Sequence, residues 1–189
     1  MSPKNKFSKE EIINAALDVV RAGGLGALTA RAIGAALGSS PKVIFGLFQN
    51  MEELQSAVMD AANRRYQEFL QEDMSSGKYP PYKGSGIGYI RFASQEPSLF
   101  KMLFMRDRSH EIIREDPDSI QPLLRIIQKN TGMGVQEAYL FHLEMWVYVH
   151  GIASMIATGY LEWDWELVSK MLTDCYEGIR TRFPGQEVQ

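Results

Sequence analysis

The chain is poor in the residues that build covalent or metal-held scaffolds. Of its 189 residues one is cysteine, Cys175, and three are histidine. A single thiol excludes an internal disulfide framework and a cysteine-built zinc site, and it fits a reducing cytoplasm. Segment 1–6 is polar with no apolar core behind it, so no secretory leader is expected. No convincing membrane span stands out either. The longest charge-free stretch of the apolar C-terminal half, 145–161, contains His150 and several small residues. Alternating strand patterns of useful length and internal repeats are lacking as well. Catalytic groupings fare no better: there is no nucleophile–histidine–acid set, no phosphate-binding glycine loop and no metal motif. His142 and His150 lie eight residues apart, too far for a compact two-histidine grip. No enzyme, cofactor or metal is expected.

What is present is an ordinary globular composition, 45% apolar and 23% charged. Positive charge is short overall, with 20 Lys+Arg against 23 Asp+Glu, a net −3 that argues mildly against nucleic acid. The average conceals a split. Residues 1–50 carry six basic and three acidic side chains, and 51–189 carry 14 and 20, so a +3 segment precedes a −6 body.

Helix punctuation is dense in the first segment. Ser8 with Glu11 forms a capping box, Ile12, Ala16, Leu17 and Val20 share one face, and Gly23-Gly24 ends the helix. Thr29 caps a short second helix to Leu37, with Ile33, Ala36 and Leu37 expected inside. Ser40-Pro41 signals a third helix to about Leu47, with Ile44 and Phe48 facing inward. Asn50 with Glu53 starts a fourth, reaching about Gln71. The stretch 73–88, rich in Ser, Gly, Pro, Tyr and Lys, reads as a long connection. Helical patterns resume over about 85–94, 97–106, 119–130, 134–159 and 164–182. The expectation is an all-α chain, with residues 1–50 as one domain and 51–189 as a second.

Three short helices, the last two joined by Gly38-Ser39-Ser40, make a helix-turn-helix arrangement whose third helix can enter a major groove. Ser39, Ser40, Lys42 and Val43 lie on its turn and outer face, where hydroxyls, an ammonium and helix-start N–H groups suit phosphates and base edges. The run from Ile12 to Val58, with Ala15-Ala16, Gly24, Leu28-Thr29, Ala32-Ile33-Gly34, Gly38-Ser39-Ser40, Phe45, Phe48 and Glu52-Glu53-Leu54, resembles the DNA-binding domain of the tetracycline-repressor (TetR) family. Further on, Phe92-Ala93, Pro97-Ser98-Leu99-Phe100 and the Trp146-x-x-x-His150-Gly151 string are similar to a C-terminal ligand-binding domain found in many of these regulators.

The resemblance implies an all-helical cytoplasmic homodimer. It would repress transcription from a palindromic double-stranded DNA operator and be released by a small, largely apolar effector. Thr29 and Arg31 match positions that approach the DNA backbone, and Ser39, Ser40, Lys42 and Val43 match the recognition turn and helix. Three positions depart. Phe45 stands where the family has a phosphate-binding tyrosine, Leu47 where histidine is frequent and Met51 where a lysine grips phosphate. The N-terminal Lys4, Lys6 and Lys9 offer a compensating basic arm. Few phosphate contacts per head, and hence a shallow salt dependence, are expected. The alternative is a helical ligand-binding or adaptor protein with weakened or lost DNA binding.

In the body, aromatic and methionine side chains crowd two regions. Tyr89, Phe92, Phe100, Leu103 and Phe104, with Phe141, Met145, Trp146 and Tyr148, are the candidate lining of an apolar effector pocket, against the plainer alternative of ordinary core. The last helix has a stripe of Trp165, Val168, Leu172, Tyr176 and Ile179, which with Tyr160 is the candidate dimer interface.

Overall fold

The computed structural model describes residues 6–107, 109, 117–160 and 162–183. Among them the regular structure is helical throughout: α1 (Lys9–Gly23), α2 (Ala30–Ala36), α3 (Lys42–Phe45), α4 (Met51–Ser75), α5 (Pro81–Gln95), α6 (Pro97–Phe104), α7 (Pro117–Thr131), α8 (Val135–Ala157) and α9 (Trp165–Arg180). A 3-10 turn, Leu25–Ala27, links α1 to α2.

Local chemistry sets most helix starts. The Ser8 hydroxyl accepts from Glu11 N (3.1 Å) while the Glu11 carboxylate accepts from Ser8 N (2.7 Å). The Ser8 backbone N–H on the carboxylate, with the Ser8 side chain adding to it, holds the Glu11 carboxyl below its usual pKa. Thr29 caps α2 through Ala32 N at 3.2 Å. At α4 the Asn50 side chain accepts from Glu53 N (2.8 Å), and Glu53 reaches one residue beyond the expected partner, to Gln49 N (2.7 Å). Asp164 caps α9 through Glu166 N and Leu167 N.

Two expectations are corrected. Residues 73–88 are not one long connection: α4 continues to Ser75 and α5 begins at Pro81. Proline suits a first helical turn, where its missing N–H costs nothing. The glycines that read as breakers face another helix. A Cβ on Gly84 would lie 2.6 Å from the Asp73 carbonyl oxygen, and one on Gly88 the same distance from that of Phe69. The buried face of α2 is the second correction. It consists of Ile33 and Gly34 rather than Ile33, Ala36 and Leu37, because Gly34 meets the backbone of Ser39–Pro41.

The chain divides into two compact units. The first comprises Met1–Gln67 and Gln95–Arg106, the second Glu68–Ser94 and Asp107–Gln189. In the first, α1 packs on α2 and α6 around Ile12, Ala16, Val20, Ile33, Ile44, Leu54 and Val58. In the second, α5 lies against the end of α4 on its glycine face and against α8 on its tyrosine face. Tyr82, Leu124, Ile127, Met133, Ala138, Phe141 and Met145 make one core cluster there. Among the described helices α8 is long and apolar enough to cross a bilayer. Its inward Phe141, Met145, Val149 and Ile152 account for part of that composition as core.

Candidate functional site

In the first unit, the α2–α3 turn depends on two glycines. Gly38 has φ +58, a left-handed conformation that disfavours a side chain. Gly34 allows α2 to touch the turn: a Cβ there would sit 3.0 Å from Pro41 N and 3.1 Å from both Ser39 O and Ser40 C. Ser39 N donates to Gly34 O at 2.8 Å and closes the corner.

The third helix is shorter than its sequence suggests, covering Lys42–Phe45, with Pro41 as its cap and no side-chain capping bond. Ser40 takes part through its backbone carbonyl, which accepts from Val43 N at 3.3 Å. Ile44 and Phe48 are buried as expected. That leaves Ser40, Lys42 and Phe45 exposed, with Ser39 and Val43 half-buried. Thr29 and Arg31 are exposed at the start of α2. Neither Arg31 nor Lys42 has an ion-pair partner among the described residues. Phe45 is 51% exposed, an unusual position for a large aromatic ring on a small unit.

The N-terminal lysines divide. Lys4 lies outside the described residues. Lys6 is exposed, with its ammonium 5.1 Å from the Phe7 ring centroid. Lys9 is no part of a flexible arm: it opens α1, pairs with Glu53 at 3.1 Å and covers the Phe48 ring at 4.9 Å. Leu47 and Met51 are half-buried, which gives an apolar residue at each a packing role.

Sequence reasoning missed a clamp in the same unit. Glu96, just before α6, takes both Arg21 Nε (2.8 Å) and Arg21 Nη2 (2.9 Å), and Arg65 stands 3.8 Å away. Ser98 also donates to the Arg21 carbonyl at 3.0 Å. The Glu96 side chain is 12% exposed, and its two-pronged bond holds the Arg21 guanidinium above its usual pKa. The only local signal was the acid before Pro97.

The aromatic candidates for an effector pocket do not converge in one unit. Phe100, Leu103 and Phe104 belong to the first unit, and Tyr89, Phe92, Phe141, Met145, Trp146 and Tyr148 to the second. Tyr89, Phe92, Phe100, Phe141 and Met145 are buried in packed core, Trp146 is 42% exposed, and Tyr148 is half-buried. Two tyrosine–histidine bonds join α5 to α8: Tyr82 Oη to His142 Nδ1 at 3.1 Å, and Tyr89 Oη to His150 Nδ1 at 2.9 Å. Burial pushes both histidines below their usual pKa. Trp146 stacks on His150, with centroids 5.2 Å apart and planes at 21°. Burial also raises the Cys175 thiol pKa, so this cysteine is a poor nucleophile.

A cavity of about 310 Å³ opens elsewhere in the second unit, lined by Ser94, Ile156, Gly159, Glu162, Trp163, Trp165 and Val168. None of the aromatic candidates lines it. Trp163 Nε1 is enclosed and has no hydrogen-bond partner among the described residues. Such an unsatisfied donor costs about 1–3 kcal/mol. No group of three or more His, Cys, Asp or Glu side chains among the described residues is arranged to hold a metal ion.

Of the dimer candidates, Tyr160 is 75% exposed and Trp165 42%. Val168 and Leu172 are buried within the chain, and Tyr176 and Ile179 are half-buried against its core. A separate exposed apolar set comprises Leu140, Val147 and Met155 on α8 with Leu167 on α9.

Residues 12–58 match the family described as bacterial regulatory proteins, tetR family, and residues 83–174 match the tetracyclin repressor-like C-terminal domain. A TetR-like transcriptional regulator from Rhodococcus sp. RHA1 superposes with a TM-score of 0.66 at 18% identity, over 92% of this chain and 93% of its own. A member of the TetR family from Streptomyces coelicolor A3 gives 0.57 at 15% identity, over 88% and 96%. At these identities the structural likeness is one of fold. No curated protein matches the chain.

Proposed function

The chain belongs to the TetR family of transcriptional regulators, and from that premise we propose that it is a cytoplasmic homodimeric repressor, bound to a palindromic operator and released by a small, largely apolar effector. The observation that carries this reading is the glycine-braced turn that leaves Ser40, Lys42 and Phe45 exposed, with Arg31 exposed at the start of α2. Hydroxyls and cations on a short helix can hold phosphate and read base edges, and an exposed phenyl ring can meet a thymine methyl.

Dimerisation is assigned to the apolar stripe of Leu140, Val147, Met155 and Leu167, flanked by Tyr160 and Trp165. Leu140 and Val147 are seven residues apart and so lie on one helical face. Val168 and Leu172, already covered within the chain, are left out of this face. Half-sites one helical turn apart on DNA then match a two-fold protein. With the effector, linkage requires DNA and ligand to weaken each other by the same factor.

The test is titration of the full chain onto DNA flanking its own gene, over a range of salt. Each lysine or arginine held on phosphate contributes about one to the slope of log K against log salt. Arg31→Ala and Lys42→Ala each flatten that slope by about one per head and weaken binding to all sequences alike. A wild-type chain that does not discriminate this DNA from random sequence would leave the adaptor reading in its place.

A further inference from the structure

The cavity between the end of α5, the end of α8 and the start of α9 has a composition that selects its ligand. Ile156 and Val168 supply an apolar floor, and two of the seven lining residues are tryptophans, the strongest cation–π side chains. The charged residue of the lining is Glu162, which is exposed and has no basic partner among the described residues. No lysine, arginine or histidine is among the described residues that line the cavity. Asp164 and Glu166 flank the site in sequence and add negative potential. The Asp164 carboxylate, though, is taken up by Glu166 N (3.1 Å) and Leu167 N (3.2 Å) as the α9 cap. That leaves Glu162 as the carboxylate available to a guest.

We propose that this cavity is a binding site for a small amphipathic organic cation, a quaternary ammonium or protonated amine bearing an aromatic or branched apolar group. The apolar group rests on Ile156 and Val168, the cation lies against the indoles, and Glu162 balances its charge. An anion meets the Glu162 carboxylate with no compensating base among the described lining residues. A neutral apolar guest forgoes both the carboxylate and the cation–π attraction. The volume, about 310 Å³, lies at the small end of ligand sites and suits a guest with a single ring. Binding here is independent of the repressor reading; only the further consequence, that such a cation acts as the effector, rests on it.

Isothermal titration of the full chain with benzyltrimethylammonium, benzyl alcohol and phenylacetate separates the ligand classes on one aromatic frame. The cation is expected to bind at least about tenfold more tightly than the alcohol, and phenylacetate more weakly than either. Glu162→Gln should weaken the cation about tenfold and leave the alcohol unchanged, and Trp163→Ala should weaken both. Circular dichroism of each variant checks the fold. If a variant does not fold, the ranking of the three probes on the wild-type chain decides alone. Equal affinities for cation and alcohol, or a cation affinity indifferent to Glu162→Gln in a folded variant, overturn the assignment. A DNA-release arm keeps the two readings apart. Cation binding without DNA release upholds the site and refutes the effector role. Release by an uncharged apolar compound, with no cation binding, refutes the site and upholds the effector reading.

Discussion

Two glycines of α5, two residues apart, should respond to the same substitution with opposite signs. In Gly88→Ala the new Cβ would lie 2.6 Å from Phe69 O and 3.0 Å from Leu70 Cα, both backbone atoms of α4 that cannot rotate away. Relief requires α5 to move by nearly an ångström, and the opposite side of α5 is tied to α8 through Tyr82–His142 and Tyr89–His150. Overpacking of this kind costs about 1–3 kcal/mol, against about 1 kcal/mol regained from alanine's better helix propensity. The net loss expected is up to about 2 kcal/mol. In Gly86→Ala the nearest atoms are Val149 Cγ2 at 3.4 Å and Leu172 Cδ1 at 3.6 Å, ordinary contacts with side chains that can adjust. Only the propensity term remains, a gain of about 0.5–1 kcal/mol. The helix-propensity gain is common to both, so the variants should differ by the overpacking cost, about 1–3 kcal/mol, or roughly 2–12 °C in melting temperature for a chain of this size. Thermal unfolding followed by circular dichroism, at one fixed protein concentration, reads the difference. If Gly88→Ala melts at or above Gly86→Ala, the close α4–α5 contact is wrong.

Three further outcomes follow from the same contacts. Both α8 histidines have folded pKa values depressed by burial, so below pH of about 6.5 the unfolded chain takes up protons that the folded chain refuses. Stability is therefore retained above that pH and falls as pH drops toward the folded values, by up to about 1.4 kcal/mol per pH unit for each histidine; melting at pH 7.5 and 5.5 should show it, and His142→Gln should flatten it. A wild-type melting temperature constant over that range would count against the buried neutral imidazoles. Glu96→Gln keeps the shape of the clamp on Arg21 and removes its charge, so a loss of about 1 kcal/mol is expected in the urea midpoint; no change would mean the pair behaves as a solvated surface pair. Phe45→Tyr adds a hydroxyl without adding charge, so DNA affinity should rise by about three- to tenfold while the salt slope stays constant; a steeper slope would contradict that account.

The sequence was readable where the determining chemistry is local. A capping box closes over three residues, so Ser8 with Glu11, Thr29 with Ala32 and Asn50 with Glu53 could be placed from spacing alone. Left-handed Gly24 and Gly38 likewise mark turns that follow directly from the backbone freedom of glycine. The run of Gly84, Gly86 and Gly88 shows the limit of that approach. Locally it looks like a helix breaker, and the role of Gly84 and Gly88 becomes visible only when the backbone of α4 lies against them. The Glu96 clamp was hidden for the same reason: its partners Arg21 and Arg65 are 75 and 31 positions away in the chain. It also places α6 in the same compact unit as the helix-turn-helix, which a boundary at residue 50 drawn from charge did not anticipate.

The effector region carries the more general lesson. Aromatic density drew attention to 89–105 and 141–155, yet Phe92, Phe100 and Phe141 have no exposed surface, and their rings pack at ordinary edge or tilted angles against neighbours. Regular helices interlock well, so apolar residues at helical spacing tend to fill the space they create. Space is left where regularity stops. The cavity lies at such a break, between Gly159, with φ +67, and the Asp164 cap of α9, and irregular backbone holds Glu162 and Trp163 there. The residues that distinguish it are a carboxylate without a partner and two indoles in a five-residue acidic segment, 162–166. Along the sequence that segment reads only as negative charge suited to a helix start. Asp164 supplies the cap and Glu166 the acidic first turn of α9, whereas Glu162 stands outside the helix at the cavity, where the proposed cationic guest would meet it.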